Sequence, residues 1–194
     1  NPTDTWKGNV EATYGRFDDR RVGGVFSGPV TEGMGIAISA YTRRRDGYHD
    51  RMSRSVAGEV DGKAYPLSQD MFRAKLNFEL SPTFDVTLGY GFTHTDDHGM
   101  MVNFSPFENT VAAFAGALPG GILPGGFTVP RKLGQAAPSL DPGTETFVHD
   151  FFGKLNIDLG WCELRSTTGF TDLKQTTKFD FDGSYTENSF SEGG

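Results

Sequence analysis

Residues 72–92 read FRAKLNFELSPTFDVTLGYGF, and two stretches of this segment alternate strictly between apolar and polar positions. In residues 72–80 every even position is apolar, and every odd position is charged or an amide. Residues 84–92 repeat the alternation, with glycine at two of the polar positions. A period of two residues is the signature of a β-strand with one apolar and one polar face. Pro82 suits a tight turn between the two strands, so the segment predicts a β-hairpin.

Other segments share this pattern. Residues 147–159 and 161–172 alternate clearly, and residues 10–15 and 22–26 do so more weakly. Residues 34–45 are apolar on both sides at first, so the pattern leaves open which of their faces points inward. The clear segments have roughly 9 to 13 residues, the length at which a tilted strand crosses a bilayer, whereas soluble strands have about 5 or 6.

After a first compact bend at residues 15–19, the breaks between the predicted strands alternate between short and long. A transmembrane β-barrel has this arrangement, because its turns are tight on one side of the membrane and its loops are extended on the other. We therefore predict an all-β fold, an antiparallel up-and-down transmembrane β-barrel segment of about seven to eight strands with short periplasmic turns. The long extracellular loops are predicted at about 46–69 and 97–145, the second with a short helix around Thr110–Leu118. The breaks are at Gly15–Asp19, Pro29–Gly33, Asp46–Gln69, Ser81–Thr83, Asp97–Glu145, Leu159–Trp161 and from Leu173 onward.

Charged side chains fall on the polar faces of these strands, and this placement predicts which face is outside. An Arg or Lys that faces lipid at the middle of a bilayer costs about 2–4 kcal/mol, whereas one that faces an aqueous lumen costs little. The apolar faces are therefore predicted to meet hydrocarbon, and the polar faces to line a wet interior. The charged residues on the polar faces are Arg73, Lys75, Glu79, Asp85, Asp150, Lys154, Asp158, Glu163 and Arg165.

The chain has 194 residues and a formal net charge of -7, which argues against binding to nucleic acid. Basic residues concentrate around the start of the first long loop, namely Arg44 and the four arginines Arg43, Arg45, Arg51 and Arg54, and acidic residues interrupt them. One interpretation is contact with an anionic ligand or with lipid headgroups, and the other is an ordinary solvated loop. The four arginines are our candidate contact residues.

His94, Asp96 and His98 form the one cluster of residue types that commonly bind metal ions. On an extended strand these side chains share a face, and imidazole and carboxylate groups suit several divalent ions. Nothing else in the sequence supplies a matching ligand set, so the simpler interpretation is a polar strand end that emerges into water. Cys162 has no second cysteine with which to form a disulfide. We expect no catalytic residue, no cofactor and no enzymatic activity.

Four stretches resemble TonB-dependent outer-membrane receptors, in the order and spacing of the early barrel strands. They are VEATYGRFDDRRVGGVFSGPV at 10–30, RRRDGY at 43–48, STTGFTD at 166–172 and FDFDGS at 179–184. The resemblance covers almost the whole chain except the loop at 111–126. It implies a barrel of about 22 strands closed around an N-terminal plug. We therefore expect residues 1–194 to be part of the barrel domain, with the plug and the C-terminal strands outside the chain.

The resemblance also implies active transport across the outer membrane of a Gram-negative cell. Such receptors take up scarce nutrients, such as iron–siderophore chelates, cobalamin or oligosaccharides, with energy delivered by the TonB complex through the plug. The expected partners are then a small-molecule or oligosaccharide ligand and outer-membrane lipids. Two other hypotheses stay open. One is a passive porin-like channel with the same wall, and the other is a soluble β-rich sugar-binding module whose apolar faces close into an interior.

Overall fold

The computed structural model describes residues 5–52, 59–99, 135–136, 142–180 and 190–193, which form an eight-stranded sheet and a three-stranded sheet. We call the large sheet the wall and the small one the loop sheet. The wall strands are β1 (Lys7–Gly15), β2 (Asp19–Thr31), β3 (Met34–Arg45), β6 (Leu67–Ser81), β7 (Phe84–Asp97), β9 (Gly143–Asp158), β10 (Glu163–Asp180) and β11 (Phe190–Gly193). The strands of the loop sheet are β4 (His49–Met52), β5 (Val60–Ala64) and β8 (Gln135–Ala136).

Each wall strand pairs antiparallel with the wall strand that precedes it along the chain. This order confirms the predicted antiparallel up-and-down fold and the predicted number of strands. The long connections, from β3 to β6 and from β7 to β9, leave the same edge of the wall. The connections after β2, β6 and β9 are short and lie at the opposite edge. We call these edges the loop side and the turn side.

The strand register places the apolar positions of neighbouring wall strands on one face. One row across the sheet consists of Phe26, Ile38, Ala74, Tyr90, Phe151 and Phe170. The register also settles which face of β3 is apolar, since Ile36 and Ile38 pair with Leu76 and Ala74. All the charged residues that the sequence predicts on the polar faces lie on the opposite face of the wall, which we call the polar face.

The apolar face of the wall is open. Val10 and Phe170 on this face are 79% and 64% exposed, and the buried hydrophobic residues of the described part of the chain are Ala64 and Tyr65, at the loop side. The described wall strands therefore do not form the closed apolar interior that a soluble sugar-binding module requires. A single-layer sheet with one exposed apolar face is typical of a barrel wall that meets hydrocarbon.

Three element boundaries differ from the prediction. The first long loop is shorter than predicted, because β6 begins at Leu67, and it contains the β4–β5 hairpin. The second loop ends where β9 begins, at Gly143 rather than Glu145. The predicted break at Leu173 is wrong, because β10 continues to Asp180 in register with β9. Residues 174–178 are polar on both faces, so the alternation vanishes although the strand pairing continues.

Two predicted features lie outside the described residues, namely the short helix at 110–118 and the last part of the fourth motif at 181–184. In the part of the chain that the structure describes, no helix is long and apolar enough to span a membrane.

Two glycines with positive φ angles shape the turn side, Gly33 at 72° and Gly160 at 81°. A Cβ on Gly33 would lie 2.8 Å from the carbonyl oxygen of Glu79, whereas a Cβ on Gly160 would meet nothing within 4 Å. Gly33 also accepts a hydrogen bond from the Glu79 backbone N–H at 2.7 Å, which ties the β2–β3 turn to β6.

Alanine at either glycine carries backbone strain of about 1–2 kcal/mol, but only Gly33→Ala adds a clash with a backbone carbonyl. We expect Gly33→Ala to destabilise the intact protein that contains this chain clearly more than Gly160→Ala. The measurement is the temperature at which the folded protein loses its faster mobility on a detergent gel. Equal shifts for the two variants would contradict the role of the Gly33–Glu79 contact.

Candidate functional site

Asp19 forms the central ion pair at the loop side of the wall. The register places Arg21 opposite Arg43, so two positive side chains lie side by side on neighbouring strands. Asp19 is 6% exposed and accepts hydrogen bonds from Arg43 Nε at 3.0 Å, Arg43 Nη2 at 2.8 Å and Arg21 Nε at 3.2 Å. Its carboxylate therefore offsets the repulsion between the two guanidinium groups and ties β2 to β3.

The turn before Asp19 connects the first hairpin to the first long loop. Phe17 and Asp18 both have positive φ angles, 64° and 52°, as in the tight type I′ hairpin turn. The Phe17 carbonyl accepts a hydrogen bond from the Asp46 backbone N–H at 2.9 Å, which joins this turn to the residue after β3. Arg20 Nε donates to Asp18 Oδ1 at 2.9 Å, and this charged hydrogen bond lowers the pKa of Asp18.

The base of the first long loop is an aromatic cluster of Phe17, Arg45, Tyr48, His49 and Tyr65, here called the loop-base cluster. The ring centroid of His49 lies 4.8 Å from that of Tyr48 and 5.0 Å from that of Tyr65, and the Arg45 guanidinium lies 5.3 Å from the Tyr48 ring. Tyr65 is 3% exposed and has a φ angle of 72°, which a bulky residue seldom adopts. Its ring contacts and burial stabilise that strained conformation.

Gly47 and Ala64 bring the two ends of the loop into direct contact. A Cβ on Gly47 would lie 2.2 Å from the Ala64 carbonyl oxygen, so only glycine permits this approach. His49 lies next to this contact, and its partial burial lowers the pKa of its imidazole. The loop is therefore closed at its base by packing, although its residues are mostly polar.

The loop sheet joins the two long loops to each other. β4 pairs antiparallel with β5 inside the first loop, and β8, from the second loop, pairs parallel with β4. Ion pairs between Lys63 and Asp50 and between Arg51 and Asp61 (Nε to Oδ1, 2.9 Å) add cross-strand contacts in the hairpin. A solute that approaches the loop side would meet this sheet as one surface.

The candidate arginines mostly have partners inside the protein. Arg43 is bound to Asp19, Arg45 Nη2 donates to the Tyr65 carbonyl at 3.3 Å, and Arg51 pairs with Asp61. Arg54 lies outside the described residues. The structure thus gives the three described arginines structural roles, and their contact with an anionic ligand or lipid headgroup stays a prediction.

The histidine cluster separates into two pairs. His94 and Asp96 lie on one face of β7, as predicted, but His98 follows the end of that strand. His94 stacks on Phe147 at 4.3 Å with Nε2 3.2 Å from Glu145 Oε1, and His98 Nε2 lies 3.1 Å from Asp96 Oδ1. Within the described residues, no group of three or more histidine, cysteine, aspartate or glutamate side chains could hold a metal ion.

A feature of the polar face escapes the sequence analysis: Phe152, an aromatic residue among polar neighbours. It pairs with Gly89 across the sheet, and a Cβ on Gly89 would lie 2.1 Å from the Phe152 ring. The ammonium groups of Lys75 and Lys154 each lie 5.8 Å from the ring centroid. The signal available in the sequence is a phenylalanine at a polar position and a glycine at another, but their pairing requires the strand register.

Solved structures of siderophore receptors share the fold of this chain. The ferripyoverdine receptor of the outer membrane of Pseudomonas aeruginosa, bound to ferripyoverdine, matches with a TM-score of 0.62 at 18% identity, over 92% of this chain and 21% of that one. The siderophore receptor PiuA from Acinetobacter baumannii matches with a TM-score of 0.60 at 15% identity, over 92% of this chain and 22% of that one. The FpvAI–pyocin S2 complex gives 0.64 at 17% identity, over 92% and 21%.

At these identities the likeness concerns the fold, and at that level it confirms the resemblance to the barrel of TonB-dependent receptors. The wall has the fold of a stretch of an outer-membrane receptor barrel. The chain spans about a fifth of the length of these solved structures. No protein-family model matches the sequence, and no curated protein matches it significantly.

Removal of the Asp19 charge tests the ion pair at the loop side. Asp19→Asn leaves the guanidinium groups of Arg21 and Arg43 side by side with no negative charge between them. We expect this variant to lower the free energy of unfolding of the intact protein by on the order of 1–2 kcal/mol, measured from its urea midpoint. Asp61→Asn removes a more exposed partner of Arg51, so its effect should stay within about 0–1 kcal/mol. An Asp19→Asn midpoint equal to that of Asp61→Asn would contradict the central role of Asp19.

The lowered pKa of His49 predicts that acid loosens the loop base. Between the folded pKa and the ordinary value of about 6.5, the unfolded loop binds more protons than the folded one, so stability rises with pH across this window. As pH falls below about 6.5, the loop base should therefore become more sensitive to limited proteolysis between residues 46 and 66. His49→Gln should reduce this pH dependence. Cleavage that is insensitive to pH in the natural protein would refute the coupling.

Proposed function

We propose that this chain is part of the wall and outer loops of a TonB-dependent receptor that imports a scarce nutrient through the outer membrane of a Gram-negative cell. The observation that carries the proposal is the division of one antiparallel meander into an open apolar face and a charged opposite face. Lipid tolerates only the apolar face, because each Arg or Lys at the middle of the bilayer costs about 2–4 kcal/mol. The charged face then lines the aqueous lumen.

The match with receptor walls over 92% of the chain supports a receptor above a passive porin-like channel. The long loops support the same choice. They are joined through the loop sheet, and the first is closed at its base by the loop-base cluster. A pore that only sieves solutes has no need for such a fixed outer surface, whereas a receptor needs a rigid one to bind its ligand. The similar solved structures are receptors, which supports transport above enzymatic activity.

The proposed substrate class is an iron–siderophore chelate. The similar structure from Pseudomonas aeruginosa is a receptor bound to ferripyoverdine, and the one from Acinetobacter baumannii is a siderophore receptor. Cobalamin and oligosaccharides are the other substrate classes that the family resemblance admits. The proposed partner in energy supply is the TonB complex, which would act through the plug of the intact receptor.

The loop side is the proposed entry surface for the ligand. Of the candidate arginines, Arg51 has the more accessible side chain, 43% exposed against 22% for Arg43. It lies on β4, at the centre of the loop sheet. An anionic ligand would therefore contact Arg51 in preference to Arg43, whose side chain is less exposed and is paired with Asp19.

Fractionation and uptake experiments on the intact protein test the proposal. We expect it in the outer-membrane fraction, and we expect a deletion strain to lose growth on one ferric siderophore of a defined panel under iron limitation. Uptake of that chelate labelled with radioactive iron should stop when an uncoupler collapses the energy gradient of the inner membrane. Recovery of the protein in the soluble periplasm would overturn the proposal. Uptake that continues after addition of the uncoupler would favour the passive channel.

A further inference from the structure

The polar face of the wall contains a groove that the loop-side contacts do not use. It lies over β6, β7, β9 and β10, has a volume of about 390 Å³, and is lined on this face by Arg73, Lys75, Gly91, Asp150, Phe152, Gly169 and Thr171. Gly91 and Gly169 form the floor of the groove. Because glycine has no side chain, the space above these two residues stays open. This volume is within the range of sites for small molecules, about 300–1,000 Å³.

The charges around the groove are unequal. Asp150 accepts a hydrogen bond from Thr171 at 2.7 Å. Arg73 and Lys75 at the rim, and Lys154 beyond Phe152, form no ion pair within the described residues, whereas Arg43 on the same face binds the Asp19 carboxylate. The groove therefore has more positive than negative charge and one apolar wall, the ring of Phe152 between two lysines.

We infer that this groove binds a small organic anion, a carboxylate joined to an apolar or aromatic body. The carboxylate would pair with Arg73 and Lys75, because hydrogen bonds between ionised groups are about twice as strong as those between neutral groups. The apolar body would pack against Phe152. The inference rests on the proposed function, since it takes the polar face as the surface along which a solute passes through the barrel.

Benzoate is the probe, and the neutral benzamide is its matched control. We expect saturation-transfer NMR on the intact receptor in detergent to show binding of benzoate in preference to benzamide. The double variant Arg73→Gln/Lys75→Gln should weaken benzoate binding at least about tenfold and leave benzamide unchanged. Lys7→Gln removes a cation from the polar face of β1, three strands away from Lys75 in the sheet, and should have no effect.

A second pair of variants tests the shape of the groove without changing charge. A Cβ on Gly91 would lie 3.5 Å or more from its neighbours, which is ordinary van der Waals contact, and the rest of the side chain in Gly91→Val would extend into the groove. It should abolish the preference for benzoate. Gly153→Val adds the same side chain to the apolar face, where the nearest atom to its Cβ is 3.8 Å away, and should not.

Equal binding of benzoate and benzamide, or benzoate binding that survives both Arg73→Gln/Lys75→Gln and Gly91→Val, would overturn the inference. Each variant is compared only after the gel-mobility assay shows that it is folded. If Arg73→Gln/Lys75→Gln does not fold, benzoate binding by Gly91→Val decides the question. A receptor that resides in the outer membrane and takes up its chelate, but does not prefer benzoate, refutes this inference alone. A soluble protein refutes the proposed function.

Discussion

The pairing register between β6 and β7 determines which side chains share a face across the wall. Leu76 lies beside Leu88 and Phe72 beside Phe92, while Lys75 and Arg73 lie beside Gly89 and Gly91. Because side chains alternate with a period of two, a shift of one residue would move every charged side chain of one strand to the apolar face. Each Arg or Lys so moved into hydrocarbon would cost about 2–4 kcal/mol. Because β3 pairs with β6 and β9 pairs with β7, their apolar and polar side chains lie on the same two faces.

Contacts at the two edges of the wall then hold the connections in place by different means. At the turn side, Gly33 accepts a hydrogen bond from Glu79 in a position where a side chain would clash. At the loop side, the buried carboxylate of Asp19 binds the guanidinium groups of Arg21 and Arg43. The loop-base cluster packs the two ends of the first long loop together. Surface ion pairs alone contribute little, so burial of Asp19 and Tyr65 is what makes these contacts effective. The first long loop thus has a packed base.

The polar face follows from the same alternation but uses it differently. β7 and β10 have glycines at polar positions. At some of them a neighbouring side chain fills the space above the backbone, and at others that space stays open. Phe152 covers Gly89, whereas Gly91 and Gly169 remain uncovered and form the floor of the groove. In the proposed barrel this face meets water rather than lipid, so cations at the rim of the groove cost little. The division into two faces would then provide both the membrane contact and the aqueous surface.

The sequence by itself determined the faces of every wall strand with clear alternation, the antiparallel order, the short and long connections and the likeness to a receptor barrel, whereas the apolar face of β3 required the register. Each of these depends on local alternation and spacing, which residues such as Phe72 to Phe92 display without reference to the rest of the chain. The tertiary structure decided the partners of the candidate arginines, the β4–β5 hairpin, the continuation of β10 past Leu173, and the pairing of Phe152 with Gly89. Asp19 and Arg43 are 24 residues apart, and their contact exists only in one register of β2 and β3. Periodicity shows which face a side chain occupies. Which side chain lies opposite it on the neighbouring strand depends on hydrogen bonds between segments that are distant in sequence.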